Sequence, residues 1–151
     1  MEKIDPALSA RVWQRVQGNA PEQRREQGLG ELIAQEWTAA AGFLQLSRRF
    51  QGKESAALQS LYEQKQSNTA CLKGIYTLIT GSHPVVKAVP PQQEEPERAL
   101  RRCYGREMRT LAGYEARRSD PEYGQVFSRL AELSRDHCRV ILELLGSLKK
   151  K

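Results

Sequence analysis

The sequence predicts an all-α protein: a four-helix bundle with one long crossover between two helical hairpins, preceded by a short N-terminal helix. In four long segments, apolar residues recur at alternating spacings of three and four residues, which is the period of one helix face. Residues 82–93 contain three prolines and are not expected to be helical. When extended, this stretch spans roughly 40 Å, about the length of a 26-residue helix. The chain can therefore return to the other end of the bundle before the second hairpin begins.

The N-terminal segment, residues 1–20, is predicted to form a separate helical arm. Asp5 followed by Pro6 is a typical helix start. One side of this helix is apolar and consists of Leu8, Val12, Trp13 and Val16. The bundle is expected over residues 21–151, with a first hairpin at 28–80, a crossover at 81–93 and a second hairpin at 94–148.

The first hairpin is predicted to consist of two long helices. The first ends at Phe50, and Glu36 lies inside its apolar stripe. The second helix ends near Thr80, because the following Gly81 readily adopts the left-handed conformation that stops helices.

The second hairpin is predicted to start with a helix opened by Glu94, Glu95, Pro96 and Glu97, whose acids suit the positive end of a helix dipole. Glu107 lies inside the apolar stripe of this helix, as Glu36 does in the first helix. The chain then breaks before a last helix over residues 121–148, with Ser119 or Asp120 as its N-cap.

The second and fourth helices carry the same stripe in the same register, 69 residues apart. The matched positions are Leu58, Leu61, Lys65, Asn68, Leu72, Ile75 and Ile79, and then Phe127, Leu130, Ser134, His137, Ile141, Leu144 and Leu148. Each stripe is interrupted by two polar residues at an i, i+3 spacing, at which a helical bundle offers a carboxylate and an imidazole to one metal. The sequence therefore indicates a tandem repeat of one hairpin, with an inward Glu on its first helix and a polar pair on its second.

These segments resemble the ferritin-like superfamily and, within it, the di-iron domain of rubrerythrins, over about residues 28–148. The resemblance is carried by LGELIAQEWTAAAGFLQLSRRF, LYEQKQSNTACLKGIYTLITG, CYGREMRTLAGYEARRSDPEYG and FSRLAELSRDHCRVILELL. In that family each first-type helix supplies one Glu and each second-type helix supplies Glu-x-x-His. The resemblance implies three remaining metal ligands, Glu36, Glu107 and His137, and three substituted ligand positions, Lys65, Asn68 and Ser134.

Three function classes follow from this resemblance. The favoured one is a protein with a degenerate di-iron site that is non-catalytic or binds metal weakly. The alternative is an oxidoreductase of rubrerythrin type that handles peroxide or iron at a reduced site, with iron or another divalent metal as cofactor. The third is a structural or interaction module without a cofactor. Family members commonly pair, so a homodimer or larger homo-oligomer is expected.

Lys65 is an unusual residue for a core stripe, because buried lysines are rare unless they are paired. It is predicted to act as an internal counter-ion for Glu36 and Glu107; otherwise its side chain extends outward along the helix to reach solvent. Glu63 and Glu132 do not restore the missing ligands. Each lies five residues before a polar core position, about 140° around the helix, and is expected to face solvent.

The composition is that of an ordinary globular protein, with 39% hydrophobic and 28% charged residues. No apolar run is long enough to cross a bilayer, and the first residues lack the features of a signal peptide, so a cytoplasmic protein without membrane partners is expected. The net charge is +6, but no aromatic platform is interleaved with the arginines of the third helix, and nucleic acid is not expected as a partner. Cys71, Cys103 and Cys138 form no C-x-x-C pair and are expected to be free, mostly buried thiols.

Overall fold

In the computed structural model, which describes residues 21–87 and 89–149, the chain forms four α-helices and, within these ranges, no strand. The helices are α1 (Pro21–Ser47), α2 (Gly52–Thr80), α3 (Pro96–Glu115) and α4 (Gly124–Lys149). The all-helical class and the packing of helix on helix confirm the prediction of a helical bundle. The predicted N-terminal arm lies outside the described residues. Of the four helices described, none is both long enough and apolar enough to span a membrane.

Two helix ends follow the predicted signals. Gly81 ends α2 with φ of 74°, and its backbone N–H donates to the carbonyl oxygen of Thr77. This φ is in the left-handed region, which glycine adopts without the steric cost that a Cβ atom imposes. Pro96 is the first residue of α3, where a missing N–H costs nothing because the first helical N–H groups have no partner within the helix.

Two other helix ends differ from the prediction by about three residues. The helix α1 stops at Ser47 rather than at Phe50, because Arg48 and Arg49 donate their N–H groups three residues back and close a tight turn. The helix α4 starts at Gly124 rather than at residue 121. Asp120 Oδ1 accepts hydrogen bonds from the N–H groups two and three residues later, which holds residues 121–123 in a turn.

The helices pack as two hairpins lying side by side. Helix α1 lies along α2 and α3 lies along α4, while further contacts join α1 to α3 and α2 to α4. The connection between the hairpins runs along α1, because the Val89 N–H donates to Thr38 Oγ1 at 3.4 Å. The Arg49 guanidinium then donates to the carbonyl oxygen of Glu94. The start of α3 therefore lies beside the end of α1, and the two helices run antiparallel.

The apolar core consists of two clusters, one toward each end of the bundle. One cluster contains Leu29, Leu32, Ile33, Leu72, Ile75, Tyr114, Phe127, Leu130 and Ala131. The other contains Ala39, Phe43, Leu46, Leu58, Leu61, Leu100, Cys103, Ile141 and Leu144. Along every helix, the residues of the first cluster and those of the second are separated by buried polar positions. The bundle is thus divided at mid-length by a polar layer.

Two of the three cysteines are buried, Cys103 and Cys138, as the sequence predicts, whereas Cys71 is exposed. Burial raises the pKa of the Cys103 and Cys138 thiols to about 11, so both are protonated at neutral pH. These two behave as small core residues rather than as reactive thiolates.

Candidate functional site

The polar layer, meaning the buried polar residues between the two apolar clusters, contains all six positions singled out in the sequence. Each helix contributes at least one of them, and each is less than 5% exposed. They are Glu36 from α1, Lys65 and Asn68 from α2, Glu107 from α3, and Ser134 and His137 from α4. The helical period accounts for this, because each residue occupies a position of an inward stripe that is otherwise mainly apolar.

Lys65 forms the centre of the layer. Its Nζ lies 3.0 Å from Glu36 Oε1 and 2.6 Å from Glu107 Oε1, and the residue is 0% exposed. The predicted role of Lys65 as an internal counter-ion is borne out by these contacts, and the outward-pointing alternative is wrong. Because Glu36 belongs to the first hairpin and Glu107 to the second, the ammonium group joins the two hairpins.

Asn68 completes the hydrogen bonding of Glu36. Its Nδ2 donates to Glu36 Oε2 at 3.1 Å, while Lys65 donates to Oε1 of the same carboxylate. Both oxygens of Glu36 thus have a donor, as a buried carboxylate requires. The two polar residues of the α2 stripe are thus both hydrogen-bond donors to Glu36.

His137 extends the layer toward the surface. Its Nδ1 lies 3.3 Å from Glu107 Oε1, and its Nε2 contacts Oε1 of the exposed Gln64. Both ring nitrogens of His137 therefore lie next to side-chain oxygen atoms, one of Glu107 and one of Gln64.

Sequence reasoning missed Gln64. It is exposed and lies next to Lys65 in the chain, on a part of α2 that the helical period assigns to solvent. Its contact with His137 depends on how closely α2 and α4 approach each other, and no spacing within the chain reports this.

The ionised forms of Lys65 and Glu107 stabilise each other. Burial by itself would lower the pKa of Lys65, but the charges of Glu36 and Glu107 outweigh burial and hold this pKa above its usual value. Burial by itself would raise the pKa of Glu107, but the hydrogen bond from His137 and the charge of Lys65 lower it. Lys65 and Glu107 are therefore both ionised at neutral pH and form a buried ion pair.

Two further polar groups border the layer. Tyr114 is fully buried in the core, and burial together with the charge of Glu36 raises its pKa. Ser134 Oγ is buried and has no hydrogen-bond partner among the described residues.

The neighbouring acids Glu63 and Glu132 are exposed, as their angular position on the helix predicts. Within residues 21–87 and 89–149, no three His, Cys, Asp or Glu side chains converge in a way that could hold a metal ion. In the layer, the Lys65 ammonium group lies between the carboxylates of Glu36 and Glu107.

Comparison of the chain with protein-family models, with curated proteins and with solved structures finds no match. The class of protein is therefore defined by its own fold and site: a helical bundle of two hairpins whose mid-length layer holds paired, buried charges.

We expect the free energy of unfolding to fall in acid. The pKa of Glu107 is lowered in the folded state, so its contribution is fully present above the unfolded pKa of about 4.3 and is lost as the pH falls through the folded pKa. Urea unfolding followed by circular dichroism from pH 7 downward measures this dependence. The Glu107→Gln variant lacks the titrating group and should lose stability less steeply in acid. Equal acid dependence in both proteins would contradict the assignment to Glu107.

Proposed function

We propose that this chain is a ferritin-like protein of rubrerythrin type in which a layer of buried ion pairs replaces the di-iron centre. In this proposal the protein is a non-catalytic or weakly metal-binding module that associates with copies of itself. The resemblance of four sequence segments to rubrerythrins supports the assignment to this family. The charge pattern of the layer supports the loss of the metal from the di-iron centre.

The position of the Lys65 ammonium group carries this proposal. In a di-iron bundle, metal ions neutralise the inward carboxylates, and a buried carboxylate without a counter-charge would be very costly. Lys65 supplies that counter-charge at 3.0 and 2.6 Å from the two carboxylates. A metal ion that binds both must displace this group, and the raised pKa of Lys65 makes deprotonation unfavourable.

One observation favours the enzymatic alternative. His137 Nδ1 and Glu107 Oε1 are 3.3 Å apart, so an imidazole and a carboxylate already lie side by side in the core. Together with Glu36 they offer ligand types that suit iron, manganese or zinc with open positions for substrate. An oxidoreductase using peroxide or iron at such a reduced site would need Lys65 to move away from at least one carboxylate.

Anaerobic reconstitution with ferrous iron separates these alternatives. We expect the wild-type chain to retain essentially no iron after desalting and to leave the rate of peroxide consumption at the buffer value. Lys65→Gln serves as a matched variant, because it removes the charge that competes with the metal, and it should retain more iron than the wild type. Iron retained by the wild type with peroxide turnover would support the oxidoreductase and contradict the proposal.

A further inference from the structure

The outer face of the α1–α2 hairpin carries an open, mainly apolar groove. Its volume is about 360 Å³, and its lining includes Trp37, Ala40, Ala41, Leu44, Tyr62 and Ala70. Of the described residues that line it, Lys73 alone carries a charge. Trp37 is 44% exposed, so a large aromatic ring projects beside a groove bordered by alanines. A helix surface that faces solvent normally carries charged and polar residues, and an apolar groove there indicates a surface that another element covers.

The groove on the other side of α1, between α1 and α3, is covered by the connection between the two hairpins. The Val89 N–H donates to Thr38 Oγ1, and residues 89–92 line the remaining cavity together with Thr38 and Gly42. That cavity has a volume of only about 60 Å³. On the α1–α2 side, the described residues that line the larger groove all belong to α1 and α2. Of the two grooves that flank α1, this one therefore lacks a cover among the described residues.

We propose that the N-terminal arm of the same chain binds the α1–α2 groove as an amphipathic helix over residues 5–16. The apolar side of this predicted helix consists of Leu8, Val12, Trp13 and Val16. Gln14 lies on the opposite side of the helix. A helix of about a dozen residues is marginal in water by itself, so it needs a surface against which to bury its apolar side. An apolar groove between two helices is the kind of surface that binds such a helix.

The arm joins the bundle at a point from which it can reach the groove. It is connected to Pro21, the first residue of α1, through residues 17–20, which span up to about 14 Å when extended. The predicted helix from Pro6 to Val16 adds about 16 Å. Trp37 lies sixteen residues, or about 24 Å, from the start of α1. An arm that turns back along α1 therefore covers Trp37 with its helix.

The antiparallel course of the arm along α1 predicts which residues meet. Lys65 and Asn68 of α2 both contact Glu36, so Ala70 lies about one helical turn nearer to the start of α1 than Glu36 does. Measured along α1, Ala70 is then about 17 Å from that start, and Val12 of an arm with an extended connection is about 20 Å from it. Val12 of the arm is therefore expected beside Ala70 of the groove.

Covalent attachment favours binding within one chain over exchange of arms between chains. A short flexible connection holds the attached segment at an effective concentration in the millimolar range near its site. In a micromolar solution of the protein, the arm of the same chain is therefore about a thousandfold more concentrated at the groove than the arm of another copy.

The two tryptophans of the chain, Trp13 and Trp37, allow a direct test in the whole 151-residue protein. In the variant Trp13→Phe, which keeps an aromatic ring in the arm, Trp37 is the only tryptophan. Adding Val12→Glu puts a charge on the apolar side of the arm, and because that charge resists burial, the Stern–Volmer constant for acrylamide quenching of Trp37 should rise at least about twofold. Gln14→Glu is the matched control, since it adds the same charge on the opposite side, and it should leave the constant unchanged. Quenching of Trp37 that does not respond to Val12→Glu would show that the arm does not cover the groove.

Cross-linking distinguishes binding within one chain from exchange between copies. Val12→Cys and Ala70→Cys introduce one thiol on each side of the contact, in a Cys71→Ser background that removes the exposed native thiol. We expect a short bifunctional thiol reagent to join the two cysteines within one chain, which gives a product with the mass of a monomer. Val12→Cys with Leu142→Cys is the control pair, because Leu142 is 51% exposed on α4 in the second hairpin, and it should give no cross-link. Cross-linked dimers would overturn binding within the chain, and equal cross-linking of the two pairs would overturn the site.

Discussion

Replacing Lys65 by methionine should lower the free energy of unfolding by about 3–5 kcal/mol, because it leaves two buried carboxylates without their counter-ion. Glu36 would keep only the hydrogen bond from Asn68, and Glu107 would keep only its contact with His137. A loss of this size is a large fraction of the stability of an ordinary domain, so part of the variant is expected to be unfolded at 37 °C.

Urea unfolding followed by circular dichroism measures this loss. Lys73→Met is the control on the same helix, because Lys73 is partly exposed and contacts the Trp37 ring, and it should cost about 1 kcal/mol or less. Adding Glu36→Gln and Glu107→Gln to Lys65→Met removes the unpaired charges and should recover a substantial part of the stability, since a neutral core no longer contains isolated ions. A neutral effect of Lys65→Met alone would show that the ion pairs contribute nothing to folding.

The sequence predicted those parts of the fold that depend on local periodicity. Stripes at spacings of three and four residues identified the inward faces, and the repeat of 69 residues placed Lys65 and Ser134 at equivalent depths. Prolines between 82 and 93 identified the extended connection, because their effect on the backbone is local. The stripes and the repeat were enough to assign three residues to one layer, namely Glu36, Lys65 and Glu107.

Features that depend on side-chain hydrogen bonds or on helix separation could not be predicted in this way. The bounds of α4 differ from the prediction because Asp120 holds the preceding turn with its side chain. Gln64 meets His137 only because α2 and α4 lie close together at that level. The exposure of Cys71 likewise depends on which side of α2 the neighbouring helices do not cover. From the sequence, a free cysteine is apolar enough that burial is expected.

The polar layer shows how a symmetric scaffold can hold an asymmetric set of interactions. The polar pair of α2 donates three hydrogen bonds to the two carboxylates, through Lys65 and Asn68. The equivalent pair of α4 contributes one contact through His137, while Ser134 has no partner among the described residues. The first hairpin thus supplies most of the compensation for buried charge, and Ser134 is the one of these four positions at which substitution removes no hydrogen bond between described side chains.

Introducing a complete set of di-iron ligands should convert the layer into a metal site. The variant Lys65→Glu, Asn68→His, Ser134→Glu would present four carboxylates and two imidazoles at mid-length, the set that di-iron bundles use. Four buried negative charges are balanced by two ferrous ions. We therefore expect about two irons per chain after anaerobic reconstitution, against essentially none for the wild type.

The same charge balance predicts a large effect of metal on stability. Without iron, four buried carboxylates repel one another and the variant should be much less stable than the wild type. Because iron binds the folded state alone, excess ferrous iron should raise the melting temperature of the variant by at least about 10 °C, given the shift of roughly 4–8 °C per kcal/mol in small domains. Iron counting and thermal melts with and without iron measure both effects, and the wild-type melting temperature should be unchanged.

The single variant Lys65→Glu controls for charge alone. It keeps the wild-type Asn68 and Ser134, so it lacks the imidazole and the carboxylate that the other two substitutions introduce, and it should bind less iron than the triple variant. A folded triple variant that binds no iron would show that these six positions are not the remains of a metal site, because all the required ligands would then be present at the required depth.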